Sequence, residues 1–121
     1  MTHNAFAAGE KAYIFHAVWF NRPHGAHRYR EYLESASEIA RKYGAKRIDA
    51  LIPVDIIQGD FQPDYCFITE WPSMEEFNRF LRDPAYRAVS HLREEACKKR
   101  SLILCRRPST WTHAHETAPT A

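Results

Sequence analysis

The chain holds only three cysteines in 121 residues, Cys66, Cys97 and Cys105, an odd number with no C-x-x-C pair. That spacing excludes a disulfide framework and a thiolate zinc site. With no base beside any of them in the sequence, they read as reduced packing residues rather than catalytic thiols. Glycine numbers four, and no P-loop, dinucleotide glycine fingerprint, nucleophile elbow or EF-hand occurs. Cofactor-dependent classes recognisable by motif drop out, and no cofactor is expected. Charge of one sign is also lacking, since 17 Lys and Arg stand among 15 Asp and Glu for a net +2. No basic stripe gathers that would release counterions from nucleic acid. No apolar run approaches the roughly 20 residues of a membrane span. The N-terminus has neither the basic n-region nor the apolar h-region of a signal peptide, so a cytoplasmic location is the expectation.

What is present is enough for a packed interior: 45% hydrophobic residues, 13% of all residues being aromatic, in a length that suits one domain. Residues 1–10 show no period and read as a loose arm. Residues 11–20 are nearly all apolar, aromatic or β-branched, which marks a strand buried on both faces. Side chains alternate along it, placing Ile14, His16, Val18 and Phe20 on one face and Tyr13, Phe15, Ala17 and Trp19 on the other. After a loop at 21–25, apolar residues at helical spacing from Tyr29 to Tyr43 predict an amphipathic helix over 27–43, stopped by Gly44. Residues 46–57 read as a strand that Pro53 demotes to the edge of the sheet. A polar turn over 58–64 leads to a strand at 65–71.

Ser73 with Glu76 forms a capping-box pattern that opens the next helix. Asp83 and Pro84 restart it, Asp as N-cap and Pro as first helical residue, and the helix continues to Lys98. A last strand follows at 101–105, and 107–121 reads as a tail. The order β-α-β-β-α-β predicts an α+β, ferredoxin-like fold in which a four-stranded antiparallel sheet carries its helices on one face. A first strand apolar on both faces then needs cover on the other side. The expectation is a homodimer closed sheet against sheet.

Several short motifs in this order resemble the DUF1330 family of the dimeric α/β-barrel superfamily. They are Lys11, Ala12, Tyr13 and Ile14; Tyr43, Gly44 and Ala45; Ile57, Gln58, Gly59 and Asp60; Glu70 to Glu75 through Trp71, Pro72, Ser73 and Met74; and Asp83, Pro84, Ala85 and Tyr86 through to Leu92 and Arg93. The resemblance covers roughly 11–108, and the domain is expected at 11–106. It implies a dimeric α/β barrel with a small-molecule cavity between each sheet and its helices. The superfamily includes cofactor-independent monooxygenases, haem-degrading enzymes, isomerases and stress-response barrels, so it implies a reaction less firmly than a fold. Two departures stand out: Gln58 replaces the family's usual Glu in the turn, and 19–27 is longer and richer in histidine than usual.

The candidate chemistry lies elsewhere. A titratable His16 in an apolar strand either finds a partner in the core or faces a cavity as a base. Tyr86 and Arg93, seven residues apart, share an inward helix face. Arg93 there is either a structural partner for a carboxylate such as Glu70 or, with Tyr86, an anchor for a substrate oxyanion. His24 and His27 could line a cavity entrance or join His16 at a metal, but no ligand spacing completes a site, and none is expected. His91 reads as solvated, and His113 with His115 lacks a third ligand. Trp19, Tyr65, Trp71 and Gln58 complete the candidate substrate-binding set. The functional expectation is a small enzyme (monooxygenase, isomerase or cyclase) acting on an aromatic or enolisable organic acid or ketone by proton transfer or cofactor-free oxygenation. The alternative is a non-catalytic binding or stress-response barrel.

Overall fold

The computed structural model describes residues 6–108. Strand β1 (Ala12–Phe20) is followed by helix α1 (Gly25–Arg41), β2 (Lys46–Leu51), β3 (Tyr65–Trp71), α2 (Met74–Arg82), α3 (Pro84–Ala96) and β4 (Cys97–Cys105). The strands form one antiparallel sheet in the order β2-β3-β1-β4, with β1 central and β2 on an edge as its proline suggests. This is the ferredoxin-like arrangement.

Alternation along β1 decides which side the helices take. Ala12, Ile14, His16 and Val18 are all buried, and they meet Tyr29, Tyr32, Ala36 and Ile39 of α1, Phe77 and Phe80 of α2, and Tyr86 of α3. Register carries the same face outward: His16 lies opposite Phe67 of β3 and Leu102 of β4, and Ile14 opposite Thr69. Helix α1 also packs on α3. Asp83 joins these helices, because its carboxylate accepts from the Tyr43 hydroxyl at 2.5 Å and from the backbone N–H of Ala85 at 2.7 Å. One residue thus caps α3 and ties the end of α1 to it.

Several boundaries and one cap differ from expectation. β2 stops at Leu51, and Pro53 ends the ladder instead of interrupting it. Beyond it Ile52, Val54 and Ile57 stand exposed, so the apolar pattern at 52–57 serves no core of this protomer. Helix α1 begins at Gly25, two residues early, because only a glycine fits there: a Cβ would sit 2.5 Å from the Ala96 carbonyl oxygen and 2.9 Å from Phe20 Cβ. β4 begins at Cys97, four residues early, and takes the basic run that looked like the end of a helix. The Lys99 ammonium rests 4.5 Å from the Trp19 ring, so the stem packs while the charge stays wet. Of the capping box, only the half from Ser73 Oγ to the Glu76 N–H forms, at 3.2 Å. The Glu76 carboxylate turns to Arg79 at 2.8 Å.

The described part of the expected loose arm is tied down. Glu10 accepts two hydrogen bonds from Arg106, at 2.8 and 3.0 Å, and Phe6 packs against the core under the same guanidinium. Residues 1–5 and 109–121, including His113 and His115, lie outside the described residues.

The Gly25 contact yields a stability test. Gly25→Ala gains helix propensity but forces a methyl group into backbone, and overpacking of this kind costs about 1–3 kcal/mol. Thermal unfolding should show a lowered midpoint, whereas Gly59→Ala, with nothing within 4 Å of its Cβ position, acts only through its positive φ.

Candidate functional site

A cavity of about 160 Å³ lies between the helix-bearing face of the sheet and the helices. Its walls are mostly aromatic, with Phe67 and Trp71 from β3 and Phe77 and Phe80 from α2. Its polar groups come from all sides: His16 from β1, Thr69 from β3, Tyr32 from α1, Tyr86 from α3 and Arg100 from β4.

His16 is stacked on Phe67, ring centroids 4.1 Å apart and planes 9° from parallel. Its Nε2 shares a 3.0 Å hydrogen bond with Thr69 Oγ1, which also accepts the Trp71 indole N–H at 2.9 Å. The indole can only donate, so Thr69 is the hub of this cluster. Burial, and then the nearby positive charge of Arg100, push the His16 pKa down to about 3, which leaves the imidazole neutral at physiological pH.

On the helix side, Arg93 Nη1 donates to the Tyr86 hydroxyl at 2.5 Å, and the Tyr86 and Tyr32 hydroxyls lie 2.8 Å apart. Burial, with Tyr86 alongside, raises the Tyr32 pKa well above the usual phenol, so Tyr32 keeps its proton. Arg93 itself does not line the cavity. Nor does it pair with Glu70, which lies opposite Tyr13 on the far face of the sheet and meets Lys11 at 3.8 Å.

Arg100 differs from Arg93. Half-buried in the cavity wall, its guanidinium has no hydrogen bond or ion pair among the described residues. Val18 lies opposite it in the register, which puts its side chain on the inner face.

The structure therefore gathers three of the sequence candidates around one space, His16, Tyr86 and Trp71, with Arg93 directly behind Tyr86. The others stand apart. Trp19 is on the outer face against Phe61 and Lys99. His24 is exposed ahead of α1, and His27 is exposed beside Glu31 at 4.0 Å, so neither lines an entrance. Gln58 is exposed in the 52–64 segment, and Tyr65 packs on Tyr29 and Phe67 without reaching the cavity. His91 is exposed, as expected. The cysteines are free and half-buried, and burial holds the Cys97 thiol up near 11, in the protonated form. No group of His, Cys, Asp and Glu among the described residues is arranged to hold a metal, and no described helix is long and apolar enough to cross a membrane.

Sequence reasoning missed Tyr32, Thr69 and Arg100. Tyr32 was absorbed into an apolar helix stripe. Arg100 was hidden by the wrong strand start; extending the alternation of β4 backwards from Leu102 places it on the inner face.

A four-stranded antiparallel sheet with helices on one side and an aromatic, polar-edged cavity beneath them defines a ferredoxin-like α+β domain. Within that class the chain belongs to the DUF1330 family, described as a domain of unknown function, whose model matches residues 11–106. It is similar in structure to the RPA0582 protein of unknown function from Rhodopseudomonas palustris, with 24% identity and a TM-score of 0.76 over 86% of this chain and 87% of that one. A dimeric ferredoxin-like protein of unknown function from Jannaschia sp. CCS1 is similar at 11% identity and a TM-score of 0.68, over 81% of this chain and all of that one. So is a DABB family protein with a ferredoxin-like fold from Mesorhizobium loti, at 14% identity and a TM-score of 0.60, over 80% of this chain and 96% of that one. No curated protein matched the chain.

His16 sets a pH dependence. Its folded-state pKa of about 3 lies below the value of 6.5 for a free imidazole, so the unfolded chain binds this proton first as pH falls. The contribution is complete above pH 6.5 and is lost at up to about 1.4 kcal/mol per unit between 6.5 and 3. Denaturant midpoints measured across that window should fall steeply for the native protein and more gently for His16→Gln. Parallel curves would show that His16 is not the titrating group.

Proposed function

We propose that this protein binds a small, flat organic acid in the cavity, with Arg100 holding the carboxylate and the aromatic walls holding the body of the ligand. The observation that carries this reading is the position of Arg100. A guanidinium facing an apolar space with no counter-charge among the described residues is costly, and a bound anion relieves that cost. Size limits the ligand: apolar cavities of about 150 Å³ accept a benzene ring, so a single ring or a short keto acid matches the space. Burial of the cation also strengthens its hold, because the surrounding dielectric is low.

Proton transfer on the bound acid is the second reading, favoured by a neutral His16 at the cavity wall, in the form that accepts a proton. A base with a pKa near 3 is weak for this work. An anion seated on Arg100 cancels the lesser of the two causes of that depression, and burial, the larger, remains. Binding is therefore the primary function in this reading, and turnover depends on how far the ligand restores the basicity of His16.

A second copy of the chain covers the outer face of the sheet in the same reading. Phe15 and Ile68 are only half-buried there, Ile103 is half-exposed, and Ile52, Val54 and Ile57 stand exposed among the described residues. The similar protein from Jannaschia is itself described as dimeric.

Calorimetric titration with benzoate tests the site. Saturable binding is expected, weakened about tenfold or more in Arg100→Gln, since hydrogen bonds to charged groups contribute about 1.5–3 kcal/mol. Equal affinities in the two proteins, or no saturation at millimolar benzoate, would remove Arg100 from this role. Exchange of the methyl hydrogens of pyruvate, a short keto acid of matching size, separates turnover from binding, and turnover should vanish in His16→Gln. Sedimentation should show a species of twice the 14.2 kDa chain mass; a lone monomer at micromolar concentration sinks the dimer.

A further inference from the structure

The buried hydroxyl pair beside the cavity has a direction. Arg93 can only donate, so the Tyr86 oxygen, 2.5 Å from Nη1, accepts. The Tyr86 proton must then go elsewhere, and the acceptor within reach is the Tyr32 oxygen at 2.8 Å. Either order leaves one phenol proton facing the cavity, since both rings are buried and both line it. The guanidinium decides between them, because a hydroxyl oxygen that accepts from a cation is polarised into the stronger donor, which favours Tyr86 donating to Tyr32. With Tyr32 accepting from Tyr86, the Tyr32 proton has no hydrogen-bond acceptor among the described residues and borders the space that both rings line.

We propose that Arg93 acts through Tyr86 as a positioning residue, holding the Tyr32 hydroxyl as a fixed hydrogen-bond donor into the cavity, so that Tyr32 recognises an acceptor oxygen of the ligand. This rests on the cavity being an organic-acid site and refines it. Arg100 supplies charge on the β4 side, and Tyr32 supplies a directed donor on the α1 side. An acid that presents acceptor oxygens to both is preferred over a neutral ring of the same shape. Because the phenol keeps its proton throughout the physiological range, this donor does not switch off with pH. Arg93 does not line the cavity and so makes no direct contact there; it orients the Tyr86 hydroxyl, and its charge also bears on Tyr32.

Two measurements test the relay. The first needs no ligand: in protein carrying carbon-13 at tyrosine Cζ, hydroxyl exchange is read by NMR in mixed H₂O and D₂O, with Tyr32→Phe and Tyr86→Phe assigning the signals. The Tyr86 hydroxyl, closed between Arg93 and Tyr32, should exchange more slowly than that of Tyr32, which opens on the cavity. The opposite order, or equal rates, overturns the relay whatever the ligand data show. The second is titration with benzoate and, as a ring lacking acceptor oxygens, toluene. Tyr32→Phe should weaken benzoate about tenfold and leave toluene unchanged. Arg93→Gln, which can accept as well as donate, should weaken benzoate severalfold, while Arg93→Lys, a donor only, restores most of the affinity. Loss of benzoate and toluene together would mean a packing role and overturn the proposal. Failure of native protein to bind benzoate, with the exchange order as expected, overturns the organic-acid reading and leaves the relay standing.

Discussion

The constraint on which the structure depends is the position of β1 between β3 and β4, apolar on both faces. A strand so placed exchanges hydrogen bonds with neighbours on either side and leaves both rows of side chains to be covered. The helices cover one row, and their shape against it decides where space is left. Large aromatic residues cannot tile the gap between a twisted sheet and three helices without a remainder, and the cavity beneath Phe77 and Phe80 is that remainder. Polar groups reach it from several elements at once, with His16 on β1, Thr69 on β3, Arg100 on β4, Tyr32 on α1 and Tyr86 on α3.

This arrangement gives the cavity its electrostatic character. On the sheet side, Thr69 gathers His16 and Trp71 into a neutral cluster, and Arg100 supplies a positive charge nearby. On the helix side, a second cation stands one hydroxyl away from the space. No carboxylate among the described residues lines the cavity: the acidic group nearest in sequence, Glu70, is turned to the opposite face by the alternation of β3. Neutral imidazole, protonated phenols and a guanidinium together make a wall rich in donors, set in surroundings of low dielectric where each counts for more than in water.

Much of the fold was legible because local chemistry and global pattern agree. The Asp83 cap followed by Pro84, the glycine after α1 and the period-two burial of β1 each point to the same element order, and the structure keeps it. The site was legible only where a residue contradicted its surroundings, as His16 does in an apolar strand. Arg100 follows two lysines and looks like part of a solvated run. Its inward aim follows from pairing with β1, and pairing register is a long-range property that no local pattern states. Tyr32 and Tyr86 are 54 residues apart in sequence and touch through their last atoms. Conversely, His24 and His27 at the start of α1 stand out by composition, while tertiary structure leaves them in solvent.

The two strands that bound the sheet also bear on how the protein behaves in a crowded solution. A long flat edge invites a further strand from another molecule, and chains that escape this shorten, interrupt or charge their edges. β2 is six residues long and is followed at once by Pro53, which has no N–H to offer. β4 is longer but carries Lys98 and Lys99, exposed and positively charged, directly after its first residue. Open-ended fibre growth through the sheet edges is thus discouraged at both sides. Any self-association is steered toward the faces, where it closes upon itself and stops.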